Sequence, residues 1–189
     1  MRKLKLQMQM TVDGHVAGPN GELDWMALPW DEELNGYVAE LIEPVDCIVL
    51  GRKLAQGFIP YWANVPEGEN PRGAEKYNGT QKVVFTKTLD STDWANTVLA
   101  KGELTDEILR LKGQPGGDII AYGGVTFVSA LIRNALVDDL YLLVNPVAIG
   151  VGQSIFSGLE QRQQYRFIDA KPFPCGVTVL HFRLAEAAD

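Results

Sequence analysis

Three short stretches of this sequence place small residues, cations or hydroxyls directly after an apolar run. They are Gly51-Arg52-Lys53 after Cys47-Ile48-Val49-Leu50, Thr86-Lys87-Thr88 after Val83-Val84-Phe85, and Gly123-Gly124-Val125-Thr126 after Ile119-Ile120-Ala121-Tyr122. The chemistry such a set suits is the binding of an anion. Arginine offers a planar fork to phosphate oxygens, lysine a mobile point charge, and Thr86, Thr88 and Thr126 hydroxyl donors. Val128, Leu131, Ile132 and Ala135 recur at helical spacing, which predicts a helix opening at the Gly123-Gly124 pair. A helix start flanked by glycine presents unobstructed N–H groups and the positive end of the helix dipole. Taken singly, each stretch is also an ordinary turn or a solvated loop. Their repetition after three buried runs points to a phosphate site, and the basic rim after Phe85 favours NADP(H) over NAD(H).

The elements that position these stretches alternate between strand and helix patterns. Leu4, Leu6, Met8 and Met10 alternate with Lys5, Gln7, Gln9 and Thr11, which predicts a strand over about 3–11. A loop rich in glycine and proline runs to Trp30, and a helix follows to Ile42 with Asp31 as its N-cap. Strands are expected at 47–50, 81–85 and 119–122, and a helix at 104–112. Residues 60–79 read as a surface excursion. The apolar run 140–149 is interrupted by Asn145-Pro146, and two strands, 165–170 and 177–184, close the chain. The pattern is α/β: a mainly parallel sheet with an antiparallel C-terminal edge, forming one domain over 1–189. In such a sheet ligands collect at the carboxyl ends of the strands, where the three stretches lie.

Composition narrows the function classes. A net charge of −7 over 189 residues excludes a basic stripe for nucleic acid. No apolar run reaches membrane-spanning length, and the N-terminus alternates like a strand and unlike a signal peptide, so a cytoplasmic protein with no membrane partner is expected. Cys47 and Cys175 form no C-x-x-C pair and are expected as buried thiols. There is no P-loop and no complete G-x-G-x-x-G, because Ile155 holds the third glycine position after Gly150-Val151-Gly152. His15 and His181 are the only histidines, and neither lies in a deaminase zinc motif, so no catalytic metal is expected.

As an ordered set, five pieces resemble the dihydrofolate reductase superfamily. They are Met10-Thr11-Val12-Asp13-Gly14-His15-Val16-Ala17-Gly18, Gly51-Arg52, Phe85-Thr86-Lys87-Thr88, Tyr122-Gly123-Gly124 with its helix, and Asn145-Pro146-Val147-Ala148-Ile149-Gly150. The nearer resemblance is to the reductase domain of riboflavin-biosynthesis deaminase–reductases and their stand-alone bacterial relatives. It implies a central sheet of about eight strands with NADPH along the rim, held by Val16, Ala17, Gly51, Arg52, Lys53, Thr86, Lys87, Thr88, Gly123, Gly124, Val125 and Thr126. It also implies a cis peptide between Gly123 and Gly124, a loop from Gly18 to Leu28 over the nicotinamide, and a homodimer.

Leu28-Pro29-Trp30-Asp31 resembles the segment ending in the folate enzyme's active-site carboxylate, which nominates Asp31 as the catalytic acid. Helix capping is an equal account of it. Asp13 is the second candidate, with a turn role as its alternative. Trp25, Leu28, Trp30, Phe58 and Phe127 are candidates for the surface on which a flat heterocycle rests. The implied activity is NADPH-dependent hydride transfer to a pterin-like or ribosylamino-pyrimidine substrate. A 5-amino-6-(5-phosphoribosylamino)uracil reductase of riboflavin biosynthesis is favoured over a true dihydrofolate reductase. The alternative is a non-catalytic NADP(H)-binding protein on the same fold.

Overall fold

Alternating apolar residues at 4, 6, 8 and 10 can bury only one face of a strand, so the place of that strand in the sheet decides what becomes of the other face. In the computed structural model, which describes residues 1–26, 29–65 and 71–185, this strand is β1 (Leu4–Thr11) and it lies in the middle. The other strands are β2 (Val45–Gly51), β3 (Gln81–Phe85), β4 (Thr97–Ala100), β5 (Asp118–Ala121), β6 (Asp139–Asn145), β7 (Tyr165–Pro172) and β8 (Thr178–Leu184). They form one eight-stranded sheet in the order β4-β3-β2-β5-β1-β6-β8-β7. Pairing is parallel from β4 through to β6 and antiparallel for β6–β8 and β8–β7.

Helices cover both faces, as parallel crossovers require. Helices α4 (Leu104–Gly113) and α5 (Val125–Arg133) pack Ile108, Leu111, Val128, Leu131 and Ile132 onto Leu4, Leu6, Met8 and Met10. On the opposite face lie α1 (Glu32–Ile42), α2 (Arg52–Ala63) and α3 (Pro71–Gly79). Leu34, Val38, Leu41, Ala55, Ile59 and Tyr77 there meet Ile48, Leu50, Val84, Ile120, Leu143 and Val179.

Two local expectations are corrected. The expected surface excursion over 60–79 is helical in its described parts: α2 continues through Pro60 to Ala63, and α3 occupies 71–79, with 66–70 outside the described residues. A proline inside a helix removes one hydrogen bond, and packing offsets that loss. Phe58 and Trp62 of α2 meet Tyr77 of α3 at ring-centroid distances of 5.4 and 4.3 Å, and Asn64 Nδ2 donates to the Pro60 carbonyl. The edge strand β4 was not foreseen, because four residues give too short an alternation to register.

The polar face of β1 is buried as well, since β1 has neighbours on both sides and α1 above. Lys5 is satisfied by Asp118 at 2.9 Å and by the Leu41 carbonyl. On β3, Lys82 is equally buried and carries no carboxylate partner among the described residues. Its ammonium donates to the Tyr77, Asn78 and Thr80 carbonyls at 2.8–3.2 Å, closing the C-terminal end of α3. Burial pushes the Lys82 pKa down from its ordinary value. Lys82→Met would remove the ammonium from all three carbonyls, of which Asn78 keeps a second donor in Asn96 Nδ2 at 2.8 Å, and a loss of about 1–3 kcal/mol in urea unfolding is expected. An unchanged midpoint would mean that water serves the three carbonyls as well as lysine does.

Candidate functional site

Because six consecutive strands in the sheet are parallel, their carboxyl ends share one rim. The Cα pairing of Gly51 with Phe85 sets the start of α2 beside the turn after β3. On its other side α2 meets α5: a Cβ placed on Gly51 would lie 2.9 Å from the Phe127 Cβ, and one on Gly124 would lie 3.7 Å from the Leu54 Cβ. Neither helix has a side-chain cap, for the N-cap residues are Gly51 and Gly124. The first N–H groups of α2 and α5 therefore open together onto the rim, and their dipoles add to the Arg52 guanidinium. Arg52 is half-buried and, among the described residues, bonded only to Gln56 Oε1, at 3.3 Å, while Lys53 is exposed.

The Gly123–Gly124 peptide is trans, which corrects the expected cis bond. The turn is instead made by glycine dihedrals, with Gly124 at φ 79°, a conformation that costs a Cβ-free residue little. Thr86 is buried, and its hydroxyl accepts the N–H groups of Thr88 and Leu89, leaving its own proton to donate. Lys87 reaches sideways: its ammonium lies 2.9 Å from Glu103 Oε1 and donates to the Lys101 and Gly102 carbonyls. An exposed pair of this kind is worth little, so Lys87 is free to exchange partners.

Two loops are latched where β1 and β6 end. Asp13 Oδ2 accepts the N–H groups of Ile149 and Gly150 at 3.1 and 2.7 Å, and Oδ1 accepts the Thr11 hydroxyl at 2.5 Å. Val12 donates to Val147 O, Val16 N–H donates to Gln153 O, and Gln153 N–H donates to Ala17 O across the Ala17–Gln153 bridge. Val16 and Ala17 are buried in this latch. Hydrogen bonds from Thr11 and then Gly150 hold the Asp13 carboxyl far below the usual range. Asp31 has a comparable commitment. Oδ1 accepts the Leu34 N–H at 2.8 Å, capping α1, and Oδ2 accepts the Cys175 N–H at 2.6 Å, tying α1 to the β7–β8 turn. The Leu34 bond is the chief reason its pKa is lowered. Both carboxylates are thus ionised at neutral pH and engaged with backbone donors.

The aromatic candidates are not brought to one surface. Phe58 lies on the α1–α2 side and stacks on Tyr122 at 5.4 Å, 18° between planes. Phe127 lies on the α5 side against Phe85 and Gly51. Trp30 is half-buried on the Phe58 side, whereas Trp25 is buried with its indole N–H unpartnered among the described residues. Leu28 falls outside the described residues. Cys47 is buried, but Cys175 is half-exposed in the β7–β8 turn, contrary to expectation. A cleft of about 580 Å³ opens at the other end of the sheet, among Arg2, Pro44, Lys112 and Gly116. Its side-chain cations are already paired, Arg2 with Asp46 and Lys112 with Asp138.

A latch joining the ends of β1 and β6, bare starts of α2 and α5, and this strand order make a specific combination. The model of the RibD C-terminal domain matches residues 2–179. The chain belongs to that family. The Bacillus subtilis protein YyaP is 28% identical over 180 residues, 93% of this chain and 92% of its own length. Among solved structures, a Shewanella sp. PV-4 protein superposes with a TM-score of 0.77 at 20% identity, covering 98% of this chain and all of that one. A Thermotoga maritima diaminohydroxyphosphoribosylaminopyrimidine deaminase/5-amino-6-(5-phosphoribosylamino)uracil reductase gives 0.68 at 16% identity, over 97% of this chain and 57% of the longer one. An Enterococcus faecalis dihydrofolate reductase complexed with NADP(H) gives 0.62 at 15%, over 97% of both chains. The fold of this RibD C-terminal domain is therefore that of the riboflavin-type and folate reductases. No helix among the described residues is long and apolar enough to cross a membrane.

The polar residues on the α1-facing side of β1 and β6 escaped sequence reasoning. Gln9 Oε1 accepts from Asn145 Nδ2 at 3.3 Å just below the rim, and Gln7 lies deeper on the same face. The signal was present in the Lys5-Gln7-Gln9-Thr11 alternation, which reads as a solvent face until the strand is known to be central.

Proposed function

We propose that this RibD C-terminal domain is an NADPH-dependent reductase acting on a ribosylamino-pyrimidine or pterin-like substrate. The observation that carries the reading is the pair of uncapped helix starts at Gly51 and Gly124 beside Arg52. Their N–H groups and the guanidinium would hold the cofactor's phosphates, with Thr86, Lys87, Thr88 and Thr126 at the flanks. When bound, the dihydronicotinamide supplies the hydride. The chain's part is to bind, orient and exclude water, with Val16 and Ala17 fixing the nicotinamide wall through the Asp13 latch. Asp13 and Asp31 enter this reading as positioning carboxylates, because a lowered pKa suits a structural anion and not a proton donor. The exposed Phe167 and Ile168 on the edge strand β7 support a homodimer.

A cofactor that binds only the native state raises its apparent stability. NADPH at a hundredfold excess over its Kd is expected to raise Tm by about 5–10 °C, and NADH at the same concentration by clearly less. Equal shifts, or none, would sink the NADPH reading. The engaged state of both candidate acids favours one second reading, an NADP(H)-binding protein without turnover. Single-turnover oxidation of NADPH with a ribosylamino-pyrimidine and with dihydrofolate separates the two, since the second reading requires the thermal shift with no oxidation.

A further inference from the structure

Four residues of β1 face α1: Lys5, Gln7, Gln9 and Thr11. Three of them are spoken for. Lys5 is bonded to Asp118, Gln9 to Asn145, and Thr11 to Asp13 and the His15 backbone. Gln7 is only 7% exposed, yet its side chain makes no hydrogen bond among the described residues and its Oε1 is buried without a partner. An amide in that state is costly, and the neighbouring cluster of Ile120 and Leu143 would accept a leucine there. Folding alone therefore gives no reason for glutamine at this position.

The surroundings indicate what the amide meets. Gln7 is the Cα partner of Tyr141 on β6, and the Leu6–Ala121 pairing brings Tyr122 of the turn after β5 to its other side. The Tyr122 ring meets Tyr77 edge-on at 5.5 Å and stacks on Phe58, which leaves an aromatic wall. Toward the rim the same face carries Gln9, Thr11 and Asn145, none of them charged. On β1 and β6 the charges of this face sit at the far end, where Lys5 pairs with Asp118 and Asp139 with Arg183 and His181; Lys171 of the outer strand β7 lies on the same side but has its ammonium over the rings of Tyr37 and Phe173, at 5.5 and 5.2 Å. Asp31, where α1 begins, has both oxygens bonded to backbone N–H groups.

A group reaching Gln7 from the rim thus passes neutral polar side chains and a ring wall, which suits an uncharged planar heterocycle. An amide side chain presents a donor and an acceptor side by side, and its complement is a ring edge with N–H beside C=O. We propose that Gln7 is a specificity-determining residue, its amide reading the lactam edge of an uncharged heterocyclic substrate. The proposal rests on the reductase reading and assigns the ring end of the substrate, leaving phosphate to α2 and α5.

The test uses the full chain with NADP+ and two fluorescent probes, lumazine and 1,3-dimethyllumazine, whose N-methyl groups block the lactam edges. Wild type is expected to bind lumazine at least about tenfold more tightly than the dimethyl form. Gln7→Leu and Gln7→Met should lose that discrimination while keeping the NADPH thermal shift. Without ligand both should melt higher than wild type, by about 2–4 °C, since an unpaired buried amide has been removed. Discrimination that survives in the variants overturns the proposal, as does absence of lumazine binding to wild type or a lower melting point for both variants. Loss of the NADPH shift in wild type, with lumazine discrimination by Gln7 intact, overturns the cofactor reading and supports this one.

Discussion

Asp139→Ala is expected to destabilise the fold by about 3–5 kcal/mol, the usual cost of removing one member of a buried ion pair. Asp139 is 1% exposed, and its Oδ1 is 2.7 Å from His181 Nε2 and 2.8 Å from Arg183 Nε, with Lys3 3.7 Å from Oδ2. These groups join β6 to β8, where the sheet changes from parallel to antiparallel pairing. Without the carboxylate, Arg183 and the largely buried His181 face each other with no acceptor. Arg183 can turn partly toward water, which favours the lower end of the range. Burial works to raise the Asp139 pKa, but the bonds from His181 and Arg183 outweigh it and leave the value lowered. The sign of the pH dependence follows. The carboxylate's contribution is fully present above its ordinary value of 3.8 and is lost as pH falls through the lower folded value. The gap between wild type and variant in urea unfolding should therefore be present at neutral pH and shrink below about pH 4. A gap that keeps its size at pH 3 would show that packing, not charge, is what the substitution removed.

Gly51→Ala should have the largest effect on ligand binding for the smallest change in the chain. Gly51 has ordinary dihedrals, φ −75° and ψ 150°, so alanine meets no backbone strain there. Its methyl group would nevertheless lie 2.9 Å from Phe127 Cβ and 3.2 Å from Cγ, forcing the starts of α2 and α5 apart. Overpacking of this kind costs about 1–3 kcal/mol. If the two helix starts bind one anion together, the cost falls on affinity, and NADPH should bind about 10–100-fold more weakly. Phe127→Ala in the same chain should return most of the loss, because it removes the atoms the methyl group meets; the double-mutant cycle reads that coupling. Wild-type affinity in Gly51→Ala would break the proposed link between helix spacing and cofactor binding.

Much of this was legible in the residues themselves. Asp31 announced the start of α1, because a short acidic side chain before a helical repeat has one local use, and the N–H of Leu34 is where capping requires. The rim was legible because buried parallel strands are continuous apolar runs that stop where they meet solvent. What was not legible depended on long-range pairing. The alternation in β1 shows two faces but not that both are covered. Pro60 reads as a helix end unless the packing of Phe58 and Trp62 on Tyr77 is known. Asp13 and Lys87 have their partners at Gly150 and Glu103, and no local spacing reveals a bond across 137 or 16 residues.

The central position of β1 also has a consequence for biosynthesis. The first strand of this domain to be synthesised pairs with residues 118–121 on one side and 139–145 on the other. At ordinary synthesis rates those partners follow on the order of 10 s later. During that interval an eight-residue strand with one apolar face has both edges open, the condition in which chains associate with one another. The nascent protein therefore depends on chaperone cover or on slow, late closure of its sheet, and refolding from denaturant inherits the same long wait for contacts distant in sequence.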